Sequence, residues 1–248
     1  MKRTRFLQTL LLLITCFFAL SSCNKKPENL RILIITGGHD FNEEGFFRMI
    51  DNFEGIEYDR AEHPYAHALL KKEKISNYAA VLLYDMPQEI SKETQGDFIS
   101  MLNAGKGLVI LHHAFCSYES WTEYTQIAGG RYHHYSWEKE GAIQPPSDYK
   151  HDVTFNIKVE DPSHPIVRGI SDFVITDENY SGIEILPDIH PLLSTEEPTS
   201  GKFVGWTNNY TNARVVTLLL GHDDAAWNNP AFPLLLQQSI RWAAESGK

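Results

Sequence analysis

Cysteine is scarce in this chain, with three residues among 248. Cys16 belongs to an apolar leader and Cys23, just after it, is the expected lipid anchor, so Cys116 alone remains for the folded part and no internal disulfide can form. Basic residues are also few: 22 Lys and Arg stand against 32 Asp and Glu, a formal net charge of −10. Loss of the leader removes Lys2, Arg3 and Arg5 and takes that balance to −13. So acidic a surface argues against binding nucleic acid or anionic lipid headgroups. A long apolar run is missing too, because Leu7 to Leu20 is short of a bilayer span and interrupted by Gln8, Thr9 and Thr15. Gly37-Gly38 is followed by neither Gly-x-Gly-x-x-Gly nor a P-loop lysine, so no nucleotide cofactor is expected. Internal repeats and a linker to a second domain are absent from the sequence as well.

What is present begins with that leader. A basic start, an apolar stretch and the ending Leu20-Ser-Ser-Cys23 read as a bacterial lipoprotein signal over residues 1–22. Lipidation of Cys23 is expected, with residues 24–29 as a polar tether and residues 30–246 as one domain. The lipid would anchor a soluble domain to a membrane surface. The periplasmic face of the outer membrane is the expected location. An ordinary cleaved signal is the alternative.

Beyond the tether, strand and helix signals alternate. Leu30–Thr36, Ala79–Tyr84 and Gly107–Leu111 are continuous apolar runs, as expected of strands buried on both faces. Ile56–Arg60 is a shorter strand. Helical spacing marks Glu43–Phe53, Pro64–Lys74 and a segment capped by Ser91 that runs to Ala104 before Gly105. This β-α-β-α order predicts an α/β fold with a doubly wound, mostly parallel sheet. The later strands, Val153–Glu160, Phe173–Thr176, Pro191–Ser194, Phe203–Trp206 and Val215–Leu220, are expected to extend it in mixed orientation. Asn229 and Pro230 open a closing helix with an apolar stripe at Phe232, Leu235, Leu236, Ile240 and Ala243.

Chemistry concentrates where strands end, the place at which open α/β sheets bind ligands. Gly107-Leu-Val-Ile-Leu runs straight into His112-His113. A nucleophile elbow would put Ser or Cys there, whereas imidazoles point to metal or acid–base chemistry. His39, His112 and His222 follow three strands expected to be neighbours, which makes them candidate ligands for a divalent ion such as Zn²⁺ or Mn²⁺. The alternative is that they only hydrogen-bond. Adjacent side chains diverge at such a turn, so one of the pair, His112, is expected to face the site. His113 is kept as a candidate acid–base residue. Asp177 and Glu178, after Phe173–Thr176, are candidates for a carboxylate ligand or base, or else for a turn acidic pair. Asp40 is a candidate partner for His39 or a helix cap.

The loop from Arg131 to Tyr149 is rich in histidine and aromatics. His133, His134 and Trp137, with Trp121, Tyr180 and Trp227, are the candidate sugar-binding residues, because aromatic faces with polar tips suit pyranose rings. Cys116 reads as buried and inert. His63, His67 and His151 read as surface residues, and His164 and His190, beside prolines, as structural.

Ile34-Ile-Thr-Gly-Gly-His-Asp40, Gly107-Leu-Val-Ile-Leu-His-His-Ala114, Gly129-Gly-Arg-Tyr-His-His134, Asp161-Pro-Ser-His-Pro165, Asp177-Glu-Asn-Tyr180 and Gly221-His-Asp-Asp-Ala-Ala-Trp227 together resemble the ThuA-like (trehalose utilisation) family. The resemblance spans nearly the whole mature chain. It implies the flavodoxin-like fold of class I glutamine amidotransferases, without glutamine hydrolysis, since His112-His113 replace the nucleophilic cysteine. It also implies disaccharide metabolism: a hydrolase or isomerase acting on disaccharides, or on keto derivatives made by a partner sugar dehydrogenase. A non-catalytic sugar-binding or assembly module is the alternative.

Overall fold

The structure, a computed structural model, describes residues 29–246. The leader, Cys23 and most of the tether lie outside the described residues. The chain begins with β1 (Leu30–Gly37), α1 (Glu43–Asp51), β2 (Ile56–Glu62), α2 (Lys72–Ile75), β3 (Ala80–Asp85) and α3 (Lys92–Asn103). It continues through β4 (Gly107–Leu111), α4 (Thr122–Ala128), β5 (Gly130–Arg131), β6 (Trp137–Lys139), β7 (Ala142–Gln144), β8 (Asp148–Val159) and β9 (Phe173–Ser181). The last elements are β10 (Glu184–Ile185), β11 (His190–Ser194), β12 (Phe203–Tyr210), β13 (Ala213–Leu218), α5 (Asp224–Trp227) and α6 (Ala231–Ala244). No helix among the described residues is long and apolar enough to cross a membrane.

Nine strands form one sheet in the order β2-β1-β3-β4-β13-β12-β11-β8-β9. The half from β2 to β13 is parallel, as the alternation of apolar runs and helices predicts. The other half is antiparallel at every pairing, so the sheet as a whole is mixed rather than mostly parallel. Burial supplies the reason. Every residue of β3 and β4 is buried, which demands cover on both faces and suits crossover helices. The inner end of β8 alternates buried and exposed positions, the mark of a sheet with one wet face.

Several expected boundaries move. The segment read as one helix, Pro64–Lys74, is a 3₁₀ turn (Tyr65–Leu69) followed by α2. The loop after Arg131 contains the β6–β7 hairpin, and β8 starts at Asp148, five residues early. The strand expected to stop at Thr176 runs on to Ser181. Local chemistry holds elsewhere: Ser91 Oγ accepts the Thr94 N–H at 3.1 Å, and Asn229 Oδ1 accepts the Ala231 N–H at 3.1 Å.

One glycine sets how closely the last helix lies on the sheet. A Cβ on Gly107 would sit 2.1 Å from the carbonyl oxygen of Ala243, so α6 rests on the bare backbone of β4. Phe232, Leu235, Leu236, Ile240 and Ala243 fill that interface and are fully buried. Five parallel strands thus deliver their carboxyl ends to one edge, where β1, β3, β4 and β13 each run into a turn carrying polar side chains.

Candidate metal centre

Four side chains from three parts of the chain converge at that edge. One ligand-capable atom from each of His112, His113, Glu178 and His222 lies within 4.8 Å of the others. The turn after β4 makes this possible. His112 has a positive φ of 49°, a conformation uncommon for a residue with a side chain, and a 3₁₀ turn over His112–Cys116 follows directly. The kink throws both imidazoles to the same side, with ring centroids 4.4 Å apart. The expected divergence of the two side chains therefore does not occur.

His112 is fully buried and its tautomer is set by its surroundings. Nδ1 lies 2.6 Å from the Leu219 carbonyl oxygen, a partner that only an N–H can satisfy. Nε2 then faces His222 Nδ1 at 3.2 Å, the Tyr180 hydroxyl at 3.0 Å and Glu178 Oε1 at 3.3 Å. Burial, then repulsion from His112, His39 and other rings, drives the His113 imidazole far below its ordinary pKa and keeps it neutral. Its Nδ1 is buried and has no hydrogen-bond partner among the described residues. His222 is lowered for the same two leading reasons, burial first and His112 second. Burial alone would raise Glu178, but its hydrogen bond to His112 and the nearby rings hold it below the usual carboxylate range. Three imidazoles around a carboxylate are the donor set of a transition-metal or zinc site.

Glu178 faces an irregularity. On β8, Lys150 pairs with Asn179 and Val153 with Asp177, so His151 and Asp152 together face Glu178 across a bulge. Asp152 takes the positive φ of 56° that the bulge requires, and His151 Nδ1 reaches Glu178 Oε2 at 2.8 Å. His151, read as a surface residue, thus completes the carboxylate's surroundings. No spacing in the sequence announces a bulge, and sequence reasoning misses His151 for that reason.

The other candidates are placed as follows. Asp177 is buried and accepts backbone N–H groups of Gly221 (2.7 Å), His222 (3.0 Å) and Glu178 (2.9 Å), so it anchors the His222 turn. Burial raises its carboxyl to about 6 against the pull of His112 and those three donors. His39 is not one of the four converging residues. β3 lies between β1 and β4, and the His39 ring instead packs on His113 at 4.2 Å, with Nε2 buried and unpartnered among the described residues. Asp40 gives His39 only its backbone carbonyl, at 3.4 Å, and the helix cap is Asn42.

A cleft of about 320 Å³ opens over Glu178 and His113, lined also by His151, His134, Tyr132, Tyr149, Tyr180, Cys116 and Met86. Tyr180 and His134 therefore line it. Trp121 is instead buried against Phe98 and Tyr124, and Trp227 is buried against Phe46 with its indole N–H on the Gly221 carbonyl. Their bulk serves the core. His133 stacks on Trp137 at 4.1 Å and bonds Glu184, a pair outside the cleft lining. The Cys116 thiol is buried in the cleft wall, and burial pushes its pKa up, which makes it a poor nucleophile. His63 and His67, read as surface residues like the exposed His151, are part-buried: His63 Nε2 bonds the fully buried Asp85 at 2.5 Å, and His67 packs edge-on against His63.

A model of the ThuA family, described as trehalose utilisation, matches residues 31–243. A protein from Parabacteroides merdae described as ThuA-like is 21% identical, with a TM-score of 0.72 over 89% of this chain and 92% of that one. Another from Bacteroides uniformis, also described as ThuA-like, is 20% identical, with a TM-score of 0.66 over 88% and 92%. A cytoplasmic protein from Salmonella typhimurium shares the fold at 12% identity, with a TM-score of 0.61 over 86% and 99%. Among curated proteins no sequence relative matches.

Proposed function

The chain belongs to the ThuA (trehalose utilisation) family, and from that premise we propose that it is a metal-assisted hydrolase or isomerase acting on a disaccharide or its keto derivative. One observation carries the reading. One ligand-capable atom from each of His112, His113, Glu178 and His222 gathers in the 4.8 Å cluster, with His112 Nε2 3.3 Å from Glu178 Oε1, a donor set and spacing that a single cation can share. His113 Nε2, 4.0 Å from Glu178 Oε1, and the neutral state of its ring fit the same group.

His112, His113, Glu178 and His222 would hold the ion. Bound there, a divalent metal would act as a Lewis acid on a sugar oxygen or on water. The protein's own groups do the rest. Leu219 turns the His112 ring, Asp177 holds the His222 turn through backbone N–H groups, and His151 orients Glu178. The buried faces of Tyr180 and Tyr132 would exclude water from one side of the substrate. None of the described residues lining the cleft is Lys or Arg, so the reading favours a neutral sugar over a sugar phosphate.

Lipidation at Cys23, a periplasmic station on the outer membrane and supply of keto-sugar by a dehydrogenase complete the proposal. The decisive experiment measures metal content of the purified protein and follows disaccharides and their keto derivatives by NMR. One equivalent of zinc or manganese, with turnover lost on chelation and restored on reloading, is expected. A protein that stays metal-free after dialysis against both ions, yet binds sugars unchanged, would instead be a binding module.

A further inference from the structure

We infer that Tyr149 is a sugar-stacking platform at the mouth of the cleft, where it carries the second ring of a neutral disaccharide. The inference deepens the carbohydrate reading above and rests on it.

Of the three tyrosines that line the cleft, Tyr132 and Tyr180 are 8% and 2% exposed, while Tyr149 is 54% exposed. It is also not on a loose loop. Tyr149 lies within β8, directly opposite Tyr180 in register, and its own N–H is held by the Asp148 carboxylate at 2.9 Å. Its ring meets His151 in a T-shaped contact, centroids 5.3 Å apart at 74°. That contact orients the ring and leaves much of it in water. An ordered aromatic left half-exposed beside a cleft is the kind of surface that ligand binding covers.

The position suits a second sugar ring. Tyr149 and His151 are two residues apart on one strand and so share a face, at about 6–7 Å along it. That step is on the order of the distance from one linked pyranose to the next. His151 leads to Glu178 and the four-residue cluster, so a reacting ring seated there leaves its neighbour over Tyr149. The cleft volume agrees. About 320 Å³ is at the low end of the range filled by small ligands, roughly 300–1,000 Å³, so a second ring must extend towards the mouth. A pyranose offers an apolar C–H face to an aromatic ring and hydroxyls at its rim to water.

The test is calorimetric titration of the full-length protein, and of its Tyr149→Ala and Tyr149→Phe variants, with glucose and with trehalose, maltose, cellobiose and lactose. Tyr65→Ala removes an exposed aromatic that does not line the cleft and serves as control. Tyr149→Ala should weaken the bound disaccharide about three- to tenfold and glucose by less than about twofold. Tyr149→Phe, which keeps the ring face, should bind like wild type. If Tyr149→Ala weakens glucose and disaccharide alike, or neither, the platform is wrong while the carbohydrate reading stands. If Tyr149→Phe behaves like the Ala variant, the hydroxyl rather than the face matters, and the platform is again wrong. If no sugar binds the wild-type protein, both fall.

Discussion

Nδ1 of His112 donates to the Leu219 carbonyl oxygen at 2.6 Å, and this one bond dictates which nitrogen the imidazole turns towards Glu178. Leu219 directly follows β13 and His112 directly follows β4, so the pairing of two parallel strands is translated into the orientation of a single ring. The consequences can be measured.

Glu178→Gln keeps the shape of the side chain and removes its charge. Partners outside a metal's immediate ligands are worth about 10–100-fold in affinity, and a ligand should be worth at least that. Zinc affinity measured by chelator competition should therefore fall about 100-fold or more. Retention of wild-type affinity would remove Glu178 from the ligand set.

Asp177→Asn addresses positioning. The carboxylate accepts three backbone N–H groups, and an amide cannot accept them all, because its nitrogen only donates. Faster hydrogen exchange at the Gly221 and His222 amides is expected, with metal affinity lowered about 10–100-fold. Exchange unchanged at both amides would contradict the anchoring role.

Gly221→Ala separates packing from backbone preference when set beside Gly141→Ala. Both glycines have positive φ, 111° and 81°, but a Cβ at 221 would lie 2.6 Å from the Phe232 ring while one at 141 meets nothing within 4 Å. Urea unfolding should show Gly141→Ala costing about 1–2 kcal/mol and Gly221→Ala clearly more, about 2–4 kcal/mol. Equal costs would mean that the Phe232 ring yields freely.

His67 provides a pH signature away from the metal cluster. Burial, then repulsion from His63, lowers its pKa from 6.5 to about 4. As pH falls from about 6.5 to about 4, the unfolded chain takes up a proton here that the folded protein refuses. The stability this ring contributes is thus full above pH 6.5 and is lost on the way down to pH 4. Urea midpoints of His67→Asn between pH 4.5 and 7.5 should fall less steeply than wild type, by up to one proton. Parallel profiles would show that the ring protonates freely in the fold.

The parallel half of the sheet was legible because its residues carry the message locally. Ile32–Ile35, Ala80–Tyr84 and Gly107–Leu111 are apolar throughout, and only a strand covered on both faces tolerates that. Glu178 in the middle of a strand was not legible, since Asp177-Glu-Asn-Tyr180 has a turn's composition. These residues are buried in β9 only because Gly221, His222 and His151 satisfy the two carboxylates from outside the segment. Trp121 and Trp227 misled in the opposite way: large aromatics suit a sugar wall and a core equally, and the core took both.

Periodicity, caps and turn chemistry act within a few residues, so the amino-acid string alone specified the nine strands of the main sheet, most helices and the arrival of His112, His113 and His222 at turns. Membership of the ligand cluster is a different kind of fact. It depends on β3 separating β1 from β4 and on a positive φ at His112, while a bulge sets His151 against Glu178 beside the cluster. Those features arise from contacts between residues tens of positions apart, and until the sheet closes up there is no site for an ion to enter.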